Sequence, residues 1–226
     1  MMDQAISGSE ALAHGALEAG VQFVTGYPGS PSTATVEALM RLAGRQVRVE
    51  WAINEKSAFA SALGASLAGV RTLVCLKSVG LNVALDSLMV AKLAHGDGGL
   101  VILVRDDPGA WGSQNEEDSR PLVAAAEVPL LEPTSVAEAH LLISHAFDLS
   151  ERFQLPVAVR ITRALALDRA AMARPVAGAQ PMAEARSRRP ARFERQGDRF
   201  NVLPVHVVGF HKALQAKIGR VQEAFE

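Results

Sequence analysis

Cysteine is almost absent from this chain, since Cys75 is the only one in 226 residues. A single thiol cannot form an internal disulfide, and it cannot hold an iron–sulfur cluster, which needs several cysteine ligands. Cys75 lies within the apolar run Thr72–Lys77, a position typical of a small core residue. The composition therefore excludes a cysteine-bound redox centre within these residues.

An excess of charge of one sign is also lacking, because the formal net charge is −1. No general attraction to nucleic acid or to an anionic membrane follows from such a balance. No apolar stretch is long enough to span a bilayer, and the N-terminus lacks the basic start and apolar run of a signal peptide. We expect a cytoplasmic protein that binds neither nucleic acid nor membrane.

Several familiar site motifs are missing as well. There is no P-loop, no G-x-G-x-x-G and no G-x-S-x-G, and the six histidines have no zinc spacing. The triplet Gly96–Asp97–Gly98 resembles a motif that binds a metal and a diphosphate, but it precedes an apolar strand instead of following one. Asn115 is too close to complete such a site, so we predict no metal site in this chain.

What the chain does contain is a regular alternation of apolar β runs and helical patterns. A parallel six-stranded sheet with helices on both faces explains this alternation, so the fold class is α/β. Near-continuous apolar runs predict the six strands Val21–Thr25, Val47–Trp51, Thr72–Lys77, Leu100–Val104, Val128–Leu131 and Pro156–Ile161.

The helices are predicted from 3.6-residue spacing and capping signals. Ser7 or Ser9 starts the first helix, and a Ser78–Gly80 turn precedes a helix from Leu81 or Asn82. Ser113 and Glu116 have capping-box spacing. The pattern over Val136–Phe153 predicts a long helix, and His211–Phe225 predicts a helical tail.

The composition changes after the last predicted strand. Residues 173–197 are rich in Ala, Pro, Arg and Gly, which is typical of a linker or a surface arm. The arginines in 186–195 are expected to face solvent or a partner rather than RNA. We therefore divide the chain into a main domain at 1–172, an arm at 173–197 and a helical tail at 198–226.

The segment Gly-Tyr-Pro-Gly-Ser-Pro-Ser-Thr at 26–33 predicts a rigid turn between a strand and a helix. Ser30 followed by Pro31 fits an N-cap followed by the first helical residue. The free N–H groups of such a helix start favour an anion, for example a substrate carboxylate. An ordinary strand–turn–helix connection explains the same residues.

Glu55 is the most informative carboxylate of the chain. The β run Val47–Trp51 ends shortly before it, and Asn54 is a good N-cap for the helical pattern that follows. Glu55 is thus predicted in the first helical turn, at the carboxyl edge of a parallel sheet, where ligands bind in such folds. The simpler interpretation is that Glu55 only complements the helix dipole.

Five blocks, in this order, together resemble the thiamine-diphosphate-dependent 2-oxoacid:ferredoxin oxidoreductases. The resemblance is strongest to the N-terminal pyrimidine-binding domain of the alpha subunits that act on indolepyruvate. The blocks are G-Y-P-G-S-P-S-T at 26–33, V-E-W-A-I-N-E-K at 49–56, K-S-V-G-L-N-V-A at 77–84, G-G-L-V-I-L-V-R-D-D-P-G at 98–109 and S-Q-N-E-E-D-S-R at 113–120.

The resemblance implies roles for particular residues. Glu55 is the catalytic glutamate that hydrogen-bonds N1′ of the cofactor's aminopyrimidine. Arg120 pairs with the substrate carboxylate, or alternatively forms a surface salt bridge with Glu116 or Glu117. Gln114 and Asn115 contact substrate, or alternatively cap a helix. By the same resemblance Tyr27, Pro28, Gly29 and Asn82 bind the cofactor, Ser30 binds substrate, and Lys77 and Ser113 line the pocket.

The family pattern also implies partners. Family alpha subunits usually continue into a diphosphate-binding domain and often into a cysteine-rich domain, and neither is found in this sequence. We therefore expect a hetero-oligomer in which a partner subunit supplies diphosphate binding, Mg²⁺ and iron–sulfur clusters. The expected reaction is the oxidative decarboxylation of an aryl-pyruvate-like 2-oxoacid, and the chain alone is expected to be inactive.

Two other functions compete with this one. A split 2-oxoacid decarboxylase has similar domains but releases an aldehyde without oxidation, and its partner lacks cluster-binding cysteines. A non-catalytic scaffold or regulatory subunit is the third possibility, and the presence of Glu55 argues against it.

Overall fold

The structure, a computed structural model, describes residues 4–29, 32–45, 47–94, 96–172, 190–195 and 199–224. Its main sheet has six strands, namely β2 (Phe23–Gly26), β3 (Arg48–Trp51), β4 (Thr72–Lys77), β5 (Leu100–Asp106), β6 (Leu130–Leu131) and β7 (Val157–Thr162). All six are parallel and lie in the order β3-β2-β4-β5-β7-β6, which confirms the predicted fold class.

Helices cover both faces of this sheet. One face carries α1 (Gly8–Glu18), α2 (Thr33–Leu42) and α6 (Val136–Phe153), and the other carries α3 (Glu55–Leu67), α4 (Ser78–Ala91) and α5 (Arg120–Ala125). Side chains along each central strand alternate between the two cores. In β4, for example, Leu73 and Cys75 belong to the first core, and Val74 and Leu76 belong to the second.

The strand order reverses between β2 and β4. From β2 the chain continues to β3 on one side of the sheet and then returns to β4 on the other side. A crevice opens at such a reversal, outside the carboxyl ends of the two strands, and ligands bind there in open α/β sheets. The topology alone therefore directs attention to the residues that follow β2, β3 and β4.

A second, two-stranded sheet was not anticipated from the sequence. It pairs β1 (Gln4–Ser7) with the antiparallel strand β8 (Arg169–Met172), next to the short helix α7 (Arg163–Leu167). Both strands are short and about 160 residues apart, so neither carries a strong local signal. This pairing brings the first and last parts of the 4–172 region together.

Two predicted helix starts are wrong, and the cap predicted at Ser30 and Pro31 lies outside the described residues. Helix α2 is described from Thr33, and hydrogen bonds link Gly29 to the side chains of Ser32 and Thr33. Helix α4 begins directly at Ser78, so Gly80 lies within its first turn. The spacing of Ser113 and Glu116 starts no helix, since α5 begins only at Arg120.

The tail forms a long helix, α8 (Pro204–Glu223), that packs on the main domain. Its buried residues Leu214 and Val221 contact Phe153 and Leu155 at the end of α6. Glu127 also binds this helix, since its carboxylate accepts hydrogen bonds from the side chains of His211 and Gln215, and Lys92 at the end of α4 donates to the same carboxylate. Within the described parts of the chain, no helix combines the length and apolar character needed to cross a membrane.

We predict that Leu214→Ala weakens the docking of α8 by about 2–3 kcal/mol, because it removes a fully buried apolar side chain from a small cluster. Amide hydrogen exchange of α8 should accelerate, while exchange of the central strands stays unchanged. Val208→Ala is the matched control on the same helix, where the side chain is exposed and its loss should cost less than about 0.5 kcal/mol. Equal exchange in both variants would contradict this docking mode.

Acid should loosen the same helix. Hydrogen bonds from Lys92 and then His211 hold the pKa of Glu127 below its usual range. A carboxyl with a lowered pKa stabilises the fold above its unfolded pKa, and this contribution is lost as the pH falls through the folded pKa. Exchange of α8 amides should therefore rise below about pH 4. Glu127→Gln should abolish this acid step, whereas Glu223→Gln on the exposed end of α8 should preserve it.

Candidate functional site

Glu55 lies where the sequence places it, at the first residue of α3 and near the carboxyl end of β3. Asn54 is the N-cap, and its side-chain oxygen accepts a hydrogen bond of 2.8 Å from the backbone N–H of Ser57. This cap fixes the helix start and thereby the direction of the Glu55 side chain. The Glu55 side chain itself is half-buried, and its carboxylate makes no hydrogen bond or ion pair with the described residues.

Gly80 provides the surface against which the Glu55 side chain packs. A Cβ atom added at Gly80 would lie 2.8 Å from Cγ and 3.0 Å from Oε1 of Glu55. A glycine in the first turn of α4 therefore leaves room for the carboxylate, which any other residue would displace. The contact brings the starts of α3 and α4 together at the strand-order reversal, and the sequence prediction did not anticipate it.

The turn after β2 forms a second wall of the same crevice. The Lys77 side chain crosses Gly29, whose added Cβ would lie 3.4 Å from Cδ of Lys77. The ammonium group of Lys77 then donates a hydrogen bond of 3.2 Å to Gln114. Tyr27 and Pro28 are exposed at the rim of this turn. Lys77, Gly29 and Gln114 are therefore brought together, as expected for residues that line one site.

The irregular segment after β5 lies over the start of α4. Glu117 accepts hydrogen bonds from Asn82 at 2.9 and 3.1 Å and from Asn115 at 2.6 Å. Asn82 and Asn115 thus meet through Glu117, which the sequence analysis named only as a possible partner of Arg120. Neither Gln114 nor Asn115 is close enough in sequence to the α5 start to cap it, so the capping alternative is wrong.

Arg120 begins α5 and faces solvent. Its guanidinium donates to both carboxylate oxygens of Asp118, at 2.7 to 3.1 Å. Arg120 therefore forms a surface salt bridge, as the alternative predicted, but its partner is Asp118 and not Glu116 or Glu117. Hydrogen bonding from the Arg120 side chain lowers the pKa of Asp118 to about 2. The pair therefore stays ionised at neutral pH, and binding of a substrate carboxylate by Arg120 stays a prediction.

Unsatisfied polar atoms concentrate at this edge of the sheet. Buried oxygens usually have hydrogen-bond partners, and exceptions often mark functional sites. Five buried side-chain oxygens make no hydrogen bond to the described residues, and they lie at the carboxyl ends of β2 and β5 or in the segment between β5 and α5. They are Oγ1 of Thr25, Oδ1 of Asp106, Oδ1 of Asp107, Oγ of Ser113 and Oγ of Ser119.

A buried arginine that the sequence analysis did not identify supports the same edge. Arg105 in β5 is fully buried and donates to the hydroxyls of Ser9 and Thr35, which ties α1 and α2 to the sheet. Burial lowers the pKa of Arg105 to about 10, so it remains charged at neutral pH. Its neighbour Cys75 is equally buried, and burial raises the pKa of that thiol to about 12, as expected for an inert core residue.

Of the other residues considered in the sequence analysis, one lies outside the described residues and one belongs to the triplet already rejected as a metal motif. Ser30, the proposed substrate-binding serine, lies outside the described residues together with Pro31. Asp97 of the Gly-Asp-Gly triplet precedes β5 and therefore lies at the opposite, amino edge of the sheet. There it accepts hydrogen bonds from Arg199 at 2.7 Å and from Gln154 at 3.2 Å.

Comparison with known proteins gives a consistent result. The family described as "Pyruvate flavodoxin/ferredoxin oxidoreductase, thiamine diP-bdg" matches residues 14–208. The indolepyruvate oxidoreductase subunit IorA of Pyrococcus abyssi is 44% identical over 156 residues, which is 69% of this chain and 24% of that protein. The IorA subunit of Thermococcus kodakarensis is 40% identical over 219 residues, or 96% of this chain and 33% of its own length.

A more distant relative and a solved structure are also similar to this chain. The 2-oxoglutarate synthase subunit KorA of Methanocaldococcus jannaschii is 27% identical over 173 residues, 68% of this chain and 44% of that subunit. A 2-oxoglutarate:ferredoxin oxidoreductase from Magnetococcus marinus superposes with a TM-score of 0.71 at 18% identity, over 98% of this chain and 46% of its own. That structure has 2-oxoglutarate, coenzyme A and succinyl-CoA bound.

The chain thus spans between 24% and 33% of the two IorA subunits compared above. The family match covers most of the chain and includes every block on which the sequence resemblance rests. That resemblance is confirmed, and the chain belongs to the pyruvate flavodoxin/ferredoxin oxidoreductase family, in its thiamine-diphosphate-binding domain.

Proposed function

We propose that this chain is the pyrimidine-binding subunit of a thiamine-diphosphate-dependent 2-oxoacid:acceptor oxidoreductase, with an aryl pyruvate such as indolepyruvate as substrate. The observation that carries the proposal is the Glu55 carboxylate, which packs on Gly80 at the strand-order reversal and has no protein partner among the described residues. A carboxylate held in this way is available for a ligand group. The IorA relatives supply the substrate class.

The residues present fit the pyrimidine end of the cofactor. Glu55 would bind N1′ of the aminopyrimidine, and proton sharing at that nitrogen is its catalytic role. Tyr27, Pro28 and Gly29 form the adjacent turn, and Asn82 lies on the first turns of α4. When bound, thiamine diphosphate supplies the carbon nucleophile and the electron sink for decarboxylation.

Cations at the opposite side of the crevice would receive the substrate. Arg120 offers a planar fork that suits a carboxylate, although Asp118 occupies it in this structure. Gln114 and Asn115 lie on the same segment, and Lys77 adds a second positive charge. Ser30 belongs to the same proposed substrate site by sequence.

The remaining parts of the enzyme are proposed to lie on a partner subunit of a cytoplasmic hetero-oligomer. The diphosphate end of the cofactor needs Mg²⁺, and electron transfer needs iron–sulfur clusters. Cys75 cannot serve as a cluster ligand, because it is buried and its raised pKa keeps the thiol protonated. The proposed oxidation therefore needs a redox centre outside the described residues.

The first test is to isolate the native complex, identify its subunits and measure its thiamine diphosphate and iron content. A cluster-bearing partner with bound cofactor, together with indolepyruvate-dependent reduction of a low-potential acceptor, is the expected result. If the complex contains cofactor but no iron and releases aldehyde, the enzyme is a 2-oxoacid decarboxylase and the proposed oxidoreductase function is wrong. A chain isolated without cofactor or partner would contradict any catalytic role.

Glu55→Gln should lower turnover of that complex by about 10²–10⁴-fold, because glutamine cannot share a proton with N1′. The fold should persist, since the side chain makes no hydrogen bond or ion pair with the described residues. Glu50→Gln is the matched control, a nearby glutamate that pairs with Arg48 on the edge strand β3. If Glu55→Gln turns over at close to the wild-type rate, Glu55 does not have the proposed catalytic role.

Gly80→Ala tests the packing of Glu55 without changing its charge. The new Cβ would force the flexible Glu55 side chain to move while leaving the backbone of α4 in place. We expect a folded protein whose turnover falls by at least about tenfold, since misplacing a catalytic group is costly. Gly64→Ala in α3 is the control, because no atom lies within 4 Å of its added Cβ. Equal activity of the two variants would show that the Glu55–Gly80 contact is not needed.

A further inference from the structure

A buried ion pair connects the carboxyl ends of β5 and β7. The guanidinium of Arg160 donates through Nε to Oδ2 of Asp106 at 2.6 Å, and their side chains are 5% and 0% exposed. Arg160 lies two residues after Ala158, and Asp106 lies two residues after Val104, so each is on the same sheet face as that neighbour. Ala158 and Val104 belong to the core that α5 covers. The pair thus lies beneath the segment that carries Arg120.

The same carboxylate oxygen also holds the start of α5. The backbone N–H of Ser119 donates to Oδ2 of Asp106 at 2.9 Å, and Ser119 directly precedes Arg120. Arg160 also donates to Glu132, and its other terminal nitrogen lies 3.9 Å from Asp118. Asp118 in turn pairs with Arg120. A continuous chain of charged contacts therefore runs from the sheet to the exposed guanidinium of Arg120.

Stability alone does not account for this arrangement. A buried ion pair often contributes little net stability, since the desolvation of both charges offsets their attraction. A carboxylate that accepts a backbone N–H, however, fixes the position of that backbone strongly. Asp106 does this for the residue next to Arg120, while its Oδ1 oxygen makes no hydrogen bond to the described residues.

We propose that Asp106 and Arg160 are positioning residues, which hold Ser119 and Asp118 so that Arg120 faces the substrate carboxylate. The proposal rests on the proposed function, because it assigns the purpose of the ion pair to 2-oxoacid binding. Neither residue touches the substrate, and both act through Arg120.

The other edge of the sheet provides a matched control. Arg71 donates to both carboxylate oxygens of Glu151 at 2.7 and 2.8 Å, and the backbone N–H of Gly99 donates to the same carboxylate at 3.3 Å. This pair has the same chemistry as Asp106 and Arg160, namely an arginine and a backbone N–H on one carboxylate. It lies at the amino edge, far from the candidate site.

The experiment compares Asp106→Asn with Glu151→Gln in the assembled enzyme. Each amide keeps an acceptor oxygen for the backbone N–H but removes the charge that binds the arginine. Both variants should lower the melting temperature by similar amounts. Only Asp106→Asn should raise the KM for the 2-oxoacid, by about tenfold or more, with kcat within about threefold and thiamine diphosphate affinity unchanged.

A second measurement does not depend on turnover. Amide hydrogen exchange of residues 113–122 in the complex should accelerate in Asp106→Asn and stay unchanged in Glu151→Gln. If Asp106→Asn does not fold, Arg160→Lys replaces it, since lysine keeps the charge but cannot bind Asp106 and Glu132 as a fork.

The outcomes separate the two proposals. If the wild-type enzyme is active and both variants keep its KM and its rate of amide hydrogen exchange, the positioning role is overturned. The proposed function is then unaffected. A wild-type complex that neither binds thiamine diphosphate nor consumes a 2-oxoacid overturns both proposals. Accelerated exchange with an unchanged KM would show that the ion pair only stabilises the segment, and it would also overturn the positioning role.

Discussion

The parallel pairing of β4 with β2 on one side and β5 on the other determines where every candidate residue lies. In this register Cys75 is opposite both Gly26 and Leu103, so the three strands end at the same edge. The register is strongly fixed, because a slip of one residue would exchange the two buried faces of β4. A corresponding slip of β5 would move Arg105 away from the hydroxyls on α1 and α2.

The two edges of the sheet differ in how completely their polar groups are satisfied. At the amino edge, Arg71 is held by Glu151, Asp148 and the carbonyl of Ala19, as expected for a structural cluster. At the carboxyl edge, Oδ1 of Asp106 and Oδ1 of Asp107 make no hydrogen bond to described residues. Leaving such groups unsatisfied costs stability, and proteins tolerate this cost mainly where function requires it.

Local signals predicted the position of Glu55 but not its surroundings. The strand before it and the Asn54 cap are adjacent in sequence, so their pattern is sufficient. The contact with Gly80 depends on how α3 packs against α4, and no local pattern encodes that packing. Similarly, the capping-box spacing of Ser113 and Glu116 predicted a helix that tertiary contacts prevent. Glu117 binds Asn82 and the N–H of Ser119 binds Asp106, which holds this segment in an irregular conformation.

The distribution of charge suggests how one crevice can serve two different ligand groups. Glu55 lies at the start of α3 with no ionic partner among the described residues, while Arg120 and Lys77 provide positive charge nearer the segment after β5. In the proposed enzyme, a substrate carboxylate would be repelled by Glu55 and would bind on the side of Lys77 and Arg120, where it would displace Asp118 from the guanidinium of Arg120. The pyrimidine, which needs a carboxylate partner, would bind on the side of Glu55. In the proposed enzyme, this arrangement would assign the two ligands to different sides of the crevice.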